Sequence, residues 1–277
     1  MLKRVMCYVL GMHFMLCTLI SAAATPPLEI GITPFFTTAQ TMSTYEPLRF
    51  YLQRRLYRPV TLVTAPDHET HLKRLLQREY RFALVAPHYA RMAQLQSGYM
   101  PLLRPMGDLY GVLVAAATGP VNKIADLKNA TVALPDPLSL ASMLAIDTLT
   151  THCLEAIRTR SYPSGSSAFL SVLRGENLAA FGSINNFNLL DEADKKRLRI
   201  LAESVRVPSI MLVARADVPQ SESKQMAQMF LDFARDPQAS RDFFGKTNYA
   251  GFRPPTGDEL KQLDSYVKRI KERAWEQ

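Results

Sequence analysis

Short apolar or β-branched runs alternate with stretches of helical period along almost the whole chain. Residues 28–32 read as a strand ended by Thr33-Pro34. Over 41–56, Tyr45, Leu48, Leu52 and Leu56 fall on one helical face, with Ser43 or Thr44 as cap and Pro47 in the first turn. A strand at 59–63, a helix at 68–78, a strand at 82–86 and a helix opened by Pro87 follow. This β-α-β-α-β-α order predicts a parallel sheet covered on both faces.

Around Leu109 the pattern predicts a crossover. Strands are expected at 112–117, 131–134, 158–162, 178–181 and 199–202, with helices at 139–153, 166–174 and 186–196 and a short helix end at 126–129. The apolar run 210–214 reads as a buried strand returning to the first unit, and helices at 221–234 and 257–276 close the chain. The fold class is α/β, with two Rossmann-like lobes joined by two crossover segments and a ligand cleft between them. The expected division is 25–107 plus 207–277 for the first lobe and 108–206 for the second. In open α/β sheets ligands bind beyond the carboxyl ends of the strands, where helix N-termini offer free N–H groups to an anion.

The first thirty residues follow a different rule. Lys3 and Arg4 precede an apolar run over 5–20, then Ser21-Ala22-Ala23-Ala24 and Thr25-Pro26-Pro27. That is the basic, apolar and small-residue order of a secretory signal, predicted at 1–24 and removed before Thr25. The run contains Gly11 and His13 and is short for a membrane anchor, the alternative. A lipid anchor on Cys17 is disfavoured by the bulky Phe14, Met15 and Leu16 before it. Removal leaves Cys153 as the single thiol, so no internal disulfide is possible, and its apolar neighbours Leu149, Leu154 and Ile157 predict an inert buried side chain. The expected location is outside the cytoplasm.

Composition narrows the function classes. An apolar share of 47% and a charged share of 21% belong to a folded globular chain. Removing Lys3 and Arg4 takes the 33 basic residues to 31, which against 25 acidic ones leaves +6. This spread-out charge favours small anions and carries no basic-aromatic stripe for nucleic acid. There is no Gly-x-Ser-x-Gly elbow and no nucleophile tied to a base, so no enzyme is expected. His68 and His71, beside Asp67 and Glu69, hint at a metal site. A surface helix of mixed polarity explains them more simply, and neither metal nor cofactor is expected.

Several segments resemble the phosphonate-type substrate-binding proteins of ABC importers, which also take phosphate and phosphite. The opening Gly31-Ile32-Thr33-Pro34 and Tyr45-Glu46-Pro47-Leu48 are similar to that family's first strand, loop and helix. Ala83-Leu84-Val85-Ala86-Pro87-His88-Tyr89 resembles its Ala-Phe-Leu-Gly-Pro-x-x-Tyr segment, and Tyr110-Gly111-Val112-Leu113 its Tyr-x-Ser-Val strand entry. The stretches 124–133 and 135–142 and the tail Gly251-Phe252-Arg253-Pro254-Pro255 are similar in order and spacing. The resemblance spans essentially the whole mature chain. It implies the type II periplasmic-binding-protein fold, hinge closure on a small oxyanion, and delivery to an ABC permease. A membrane sensor protein is the alternative partner, and a monomer is expected.

Departures from the family bear on the ligand. Of its Ser-Thr-Ser anion loop only Ser139 and Ser142 keep hydroxyls, with Leu140 and Ala141 between. Its His and acid are missing at Ser164-Gly165-Ser166-Ser167, and a further acid is missing from Gly182-Ser183-Ile184-Asn185. An aminoalkylphosphonate is therefore disfavoured. The expected ligand-binding residues are Thr33, Phe35, Phe36, Thr37, Tyr45, Pro87, His88, Tyr89, Tyr110, Ser139, Leu140, Ser142, Ser164, Ser166, Ser167 and Ser183. For Tyr45 a core position is equally open, and Ser139 and the 164–167 serines read first as helix caps. With its ordinary pKa, His88 would carry charge in a mildly acidic periplasm.

Overall fold

The alternating pattern folds into two mixed sheets in the computed structural model, which describes residues 26–152, 157–247 and 249–275. The leader with Cys7 and Cys17, the expected new start at Thr25, and Cys153 lie outside the described residues.

The chain begins with β1 (Leu28–Ile32), α1 (Thr38–Leu56), β2 (Val60–Val63), α2 (His68–Leu76), β3 (Phe82–Val85), α3 (Pro87–Ser97) and β4 (Met100–Pro105). It then crosses to β5 (Gly111–Ala116), β6 (Thr131–Leu134), α4 (Leu140–Thr151), β7 (Arg158–Ser161), α5 (Gly165–Leu173), β8 (Ala179–Ser183), α6 (Ile184–Asn188), α7 (Glu192–Lys196) and β9 (Leu198–Glu203). The return brings β10 (Met211–Ala214), α8 (Gln220–Arg235), α9 (Pro237–Lys246), β11 (Phe252–Arg253), α10 (Gly257–Lys261) and α11 (Asp264–Trp275). The first sheet has the order β11-β4-β10-β3-β1-β2 and the second β7-β6-β8-β5-β9. β1, β2 and β3 pair in parallel, as do β6, β7 and β8, while β10 enters antiparallel between β3 and β4.

Several expectations need correction. α1 starts three residues early because Thr37 caps it, its hydroxyl accepting from the Gln40 amide at 3.3 Å. Pro47 thus falls inside the helix, where its missing N–H frees the Ser43 carbonyl. Lys246 on α9 donates to that carbonyl at 3.0 Å. β4 was hidden by Pro101 and Pro105, and Pro101 is accommodated where the register with β10 shifts. The expected 186–196 helix is two, because Asp191 caps α7 anew. α2 exposes Glu69 and Lys73 but turns His68 and His71 inward with Leu72 and Leu75, so the two histidines are buried.

The two crossings meet as a bridge. The Leu109 amide donates to the Val207 carbonyl at 2.8 Å, and Val207 returns the bond at 2.9 Å. Just before it, the fully buried Arg104 donates to the carbonyls of Pro105 (3.1 Å) and Gly107 (2.9 Å), to the Asp108 carboxylate (2.6 Å) and to Glu259. One apolar cluster joins the lobes, running from Val85, Tyr89 and Met211 to Leu134, Leu140, Met143 and Leu144. α11 packs its Val267 and Ile270 into the same cluster and pairs Arg269 with Asp147 of α4 at 2.6 Å. The lobes are therefore closed on each other.

Candidate ligand-binding cleft

Five loops that leave strands at their carboxyl ends meet between the sheets. They run from β1 to α1, β3 to α3, β6 to α4, β7 to α5 and β8 to α6. They enclose a cavity of about 50 Å³ to the centres of water-sized molecules. One water needs ~10–15 Å³ on that measure, so the space suits a compact ligand. The first lobe supplies Phe35, Phe36, Tyr45, His68, Ala86, Pro87, Ile210 and Tyr249 to the wall, and the second Pro135, Ser139, Leu140, Ala141, Ser164, Gly165, Ser183, Asn185 and Asn186. Leu109 of the crossing completes it. Among the described residues, no Lys, Arg, Asp or Glu lines the cavity.

The polar character comes from helix starts. Ser139 accepts from the Ser142 amide at 3.2 Å, and Ser164 accepts from the Ser167 amide at 3.2 Å. Each cap holds the third amide of its turn, while the first two N–H groups of a helix have no partner within it. In α4 these belong to Leu140 and Ala141, and in α5 to Gly165 and Ser166. Together with the partial positive charge of the helix ends they suit an oxyanion.

Neutral side chains tie the lobes across the opening. Asn186 donates to the Phe35 carbonyl at 3.2 Å, and Asn185 to the Tyr249 hydroxyl at 3.3 Å. Opposite them, the Leu138 carbonyl accepts from both Tyr89 Oη (3.0 Å) and His88 Nε2 (2.9 Å). Burial pushes the Tyr45 phenol well above its usual pKa, with Tyr249 adding to the effect, and pushes Tyr249 itself to about 12.

The structure gathers Phe35, Phe36, Tyr45, Pro87, Ser139, Leu140, Ser164 and Ser183 around the cavity. The other expected residues sit elsewhere. Thr33 is fully buried, accepting from the Ala86 amide at 3.1 Å and bonding His71 Nε2 at 2.9 Å. Thr37 and Ser167 serve capping boxes, and Ser142 donates to the Pro135 carbonyl at 2.9 Å. Tyr110 lies under the Arg206 guanidinium, 4.0 Å from its ring centroid. Ser166 is buried, its hydroxyl without a partner among the described residues, and does not line the wall. His88 and Tyr89 stand one layer behind. Burial pushes His88 down to about 3, so the expected charge in a mildly acidic periplasm is overturned. His68, Asn185, Asn186 and Tyr249 were missed. Ser183-x-x-Asn186 has the same strand-then-cap form as Ser139 and signalled the asparagines, whereas nothing local marked Tyr249.

Residues 30–260 match the family of ABC transporter phosphonate periplasmic substrate-binding proteins. The chain belongs to that family. A binding-protein component of an ABC phosphonate transporter from Pseudomonas aeruginosa is similar in fold, with TM-score 0.77, 16% identity and coverage of 89% of this chain and 88% of that one. A Prochlorococcus marinus protein in complex with methylphosphonate gives TM-score 0.77 at 13% identity, covering 88% and 98%. The aliphatic sulphonate binding protein of Escherichia coli gives TM-score 0.60 at 14% identity, covering 91% and 94%. A search of curated proteins by sequence found no match. At these identities the solved structures carry the fold, and the family carries the role. It is a periplasmic substrate-binding component of ABC transporters, with a small-molecule cargo and a membrane permease as partner, and it is not an enzyme family. No observation favours docking to a sensor kinase. Among the described residues, no helix is long and apolar enough to cross a membrane.

Proposed function

We propose that the cleft captures a small oxyanion bearing a compact apolar substituent, such as methylphosphonate, for delivery to the permease. The observation that carries this is the wall itself: two helix starts supply N–H donors, aromatic and aliphatic groups fill the rest, and among the described residues no carboxylate is there to hold an ammonium. Residues 25–107 with 207–277 act as one body and 108–206 as the other, hinging at the Leu109–Val207 bridge. Ligand contacts from both bodies favour the closed state, and its outer surface is what the permease reads. Export removes residues 1–24, and the mature chain works as a monomer. Mass spectrometry of the periplasmic fraction, expecting a start at Thr25, and sedimentation of the purified protein check these two points.

A thermal-shift screen against methylphosphonate, phosphite, phosphate, sulfate, methanesulfonate and small carboxylates tests the ligand reading. A ligand at a hundredfold excess over its Kd adds about 2.7 kcal/mol to stability. A saturable shift with a phosphorus or sulfur oxyanion is expected, and no shift with any of them overturns the reading.

A further inference from the structure

The wall contains one imidazole, and its surroundings define what it can do. His68 is 4% exposed, and its Nδ1 stands 3.0 Å from Tyr89 Oη. Tyr89 Oη is also 3.0 Å from the Leu138 carbonyl, which can only accept. The Tyr89 hydrogen therefore points to Leu138 and the Tyr89 oxygen accepts from His68 Nδ1–H, which leaves Nε2, with the Pro34 carbonyl as an acceptor beside the ring, as the nitrogen to gain a proton. The other titratable groups around it are Asp67 and His71 on its own helix, His88 and Tyr89 on α3, and Asp136 in the loop before α4. Burial lowers the pKa of His68, against the pull of Asp136, Asp67 and the Pro34 carbonyl.

Among the described residues, the wall offers an entering oxyanion no fixed cation. We propose that His68 supplies one on demand: anion capture is coupled to uptake of a solvent proton at His68 Nε2. The imidazolium so formed keeps its Nδ1–H on Tyr89 and faces the anion. The cleft thereby takes in a neutral pair rather than a bare charge, and affinity rises as pH falls. This rests on the oxyanion reading above and adds to it a charge-setting residue and a proton stoichiometry.

Titration calorimetry of the purified protein with methylphosphonate at pH 6, in buffers of different ionisation enthalpy, counts the protons taken up. The titration of methylphosphonate itself is common to wild type and His68→Gln, so the difference reads His68. Wild type is expected to take up more, by a difference approaching about one proton per ligand, with the excess shrinking by pH 8. Equal uptake in two proteins that both bind overturns the proposal and leaves the oxyanion reading standing. Should His68→Gln fail to fold or bind, nitrogen-15 histidine spectra of the wild type decide. His68 moving from the neutral to the imidazolium pattern on adding methylphosphonate supports the coupling, and an unchanged pattern refutes it. Wild type that binds none of the screened anions overturns both.

Discussion

Gly165 opens α5 against the cavity, and its lack of a side chain is a packing requirement. A Cβ there would lie 2.5 Å from Asn186 Oδ1, 2.8 Å from its Cγ and 3.1 Å from its Cβ. Asn186 is 5% exposed and cannot swing outward. Its amide nitrogen bonds Phe35 across the cleft at 3.2 Å, and its Oδ1 accepts from Ser183 at 2.5 Å. Gly165→Ala gains up to about 1 kcal/mol in helix propensity. Against this stand overpacking at about 1–3 kcal/mol and roughly 1 kcal/mol for the displaced Asn186–Phe35 bond. The net expectation is a loss of about 1–3 kcal/mol in urea unfolding, with weaker methylphosphonate binding because a tie between the lobes goes. In an Asn186→Ala background most of the clash disappears, so the same substitution costs less there. A change below about 0.5 kcal/mol, or an equal cost in both backgrounds, would refute the close-approach argument.

Acid should weaken the fold over two overlapping pH windows. His71 and His88 sit at about 3 when folded, against an ordinary 6.5, so the native state binds fewer protons between those values. Their contribution is complete above about 6.5 and drains away as pH falls to about 3. Glu259, held at about 2 chiefly by Arg253, adds stability that is complete above the usual carboxylate range and lost as pH falls through about 2. Urea midpoints at pH 8, 6, 5 and 4 should decline steadily below pH 6.5, and a flat profile contradicts the buried neutral imidazoles. Arg104→Met leaves Glu259 its Arg253 partner but strips Gly107 and Asp108 of theirs. A cost of about 3 kcal/mol is expected, and under 1 kcal/mol counts against the role of Arg104. Tyr89→Phe removes one of the two donors to Leu138, whose carbonyl His88 keeps satisfied, and takes the acceptor from the buried His68 Nδ1–H, so a cost of about 2 kcal/mol is expected. A loss above about 3 kcal/mol would mean that the His88 bond does not compensate.

Most of the parallel strands were legible as short apolar runs ahead of a helix, as at Leu28–Ile32 or Thr131–Leu134, whereas the exposed Arg-Thr-Arg-Ser of β7 had only its place between two helices to mark it. β4 and β11 were not, because Pro101 and Pro105 mask one and the other is two residues long. In the cleft, the sequence pointed to loops that the structure brings to the cavity, but not to how each hydroxyl is spent. Ser142 and Thr33 look like donors in one dimension, yet both are used by neighbouring backbone. His68 looked like a surface residue because Asp67 and Glu69 flank it, and only the packing of α2 beneath the first loop buries it. Tyr249 lies 204 residues from its phenolic neighbour Tyr45, a separation that periodicity cannot bridge.

The position of β10 also dictates an order of assembly. It separates β3 from β4 in the sheet, yet it is made after the entire second lobe. As the chain emerges N-terminus first, β2-β1-β3 can form only a three-stranded fragment whose β3 edge, buried in the finished protein, stands open. The second lobe is contiguous and can complete itself meanwhile. The first closes only when Met211–Ala214 arrives to pair on both sides, a long-range step that is slow by nature. An exported copy thus spends its most aggregation-prone interval with the later lobe finished and the earlier one waiting.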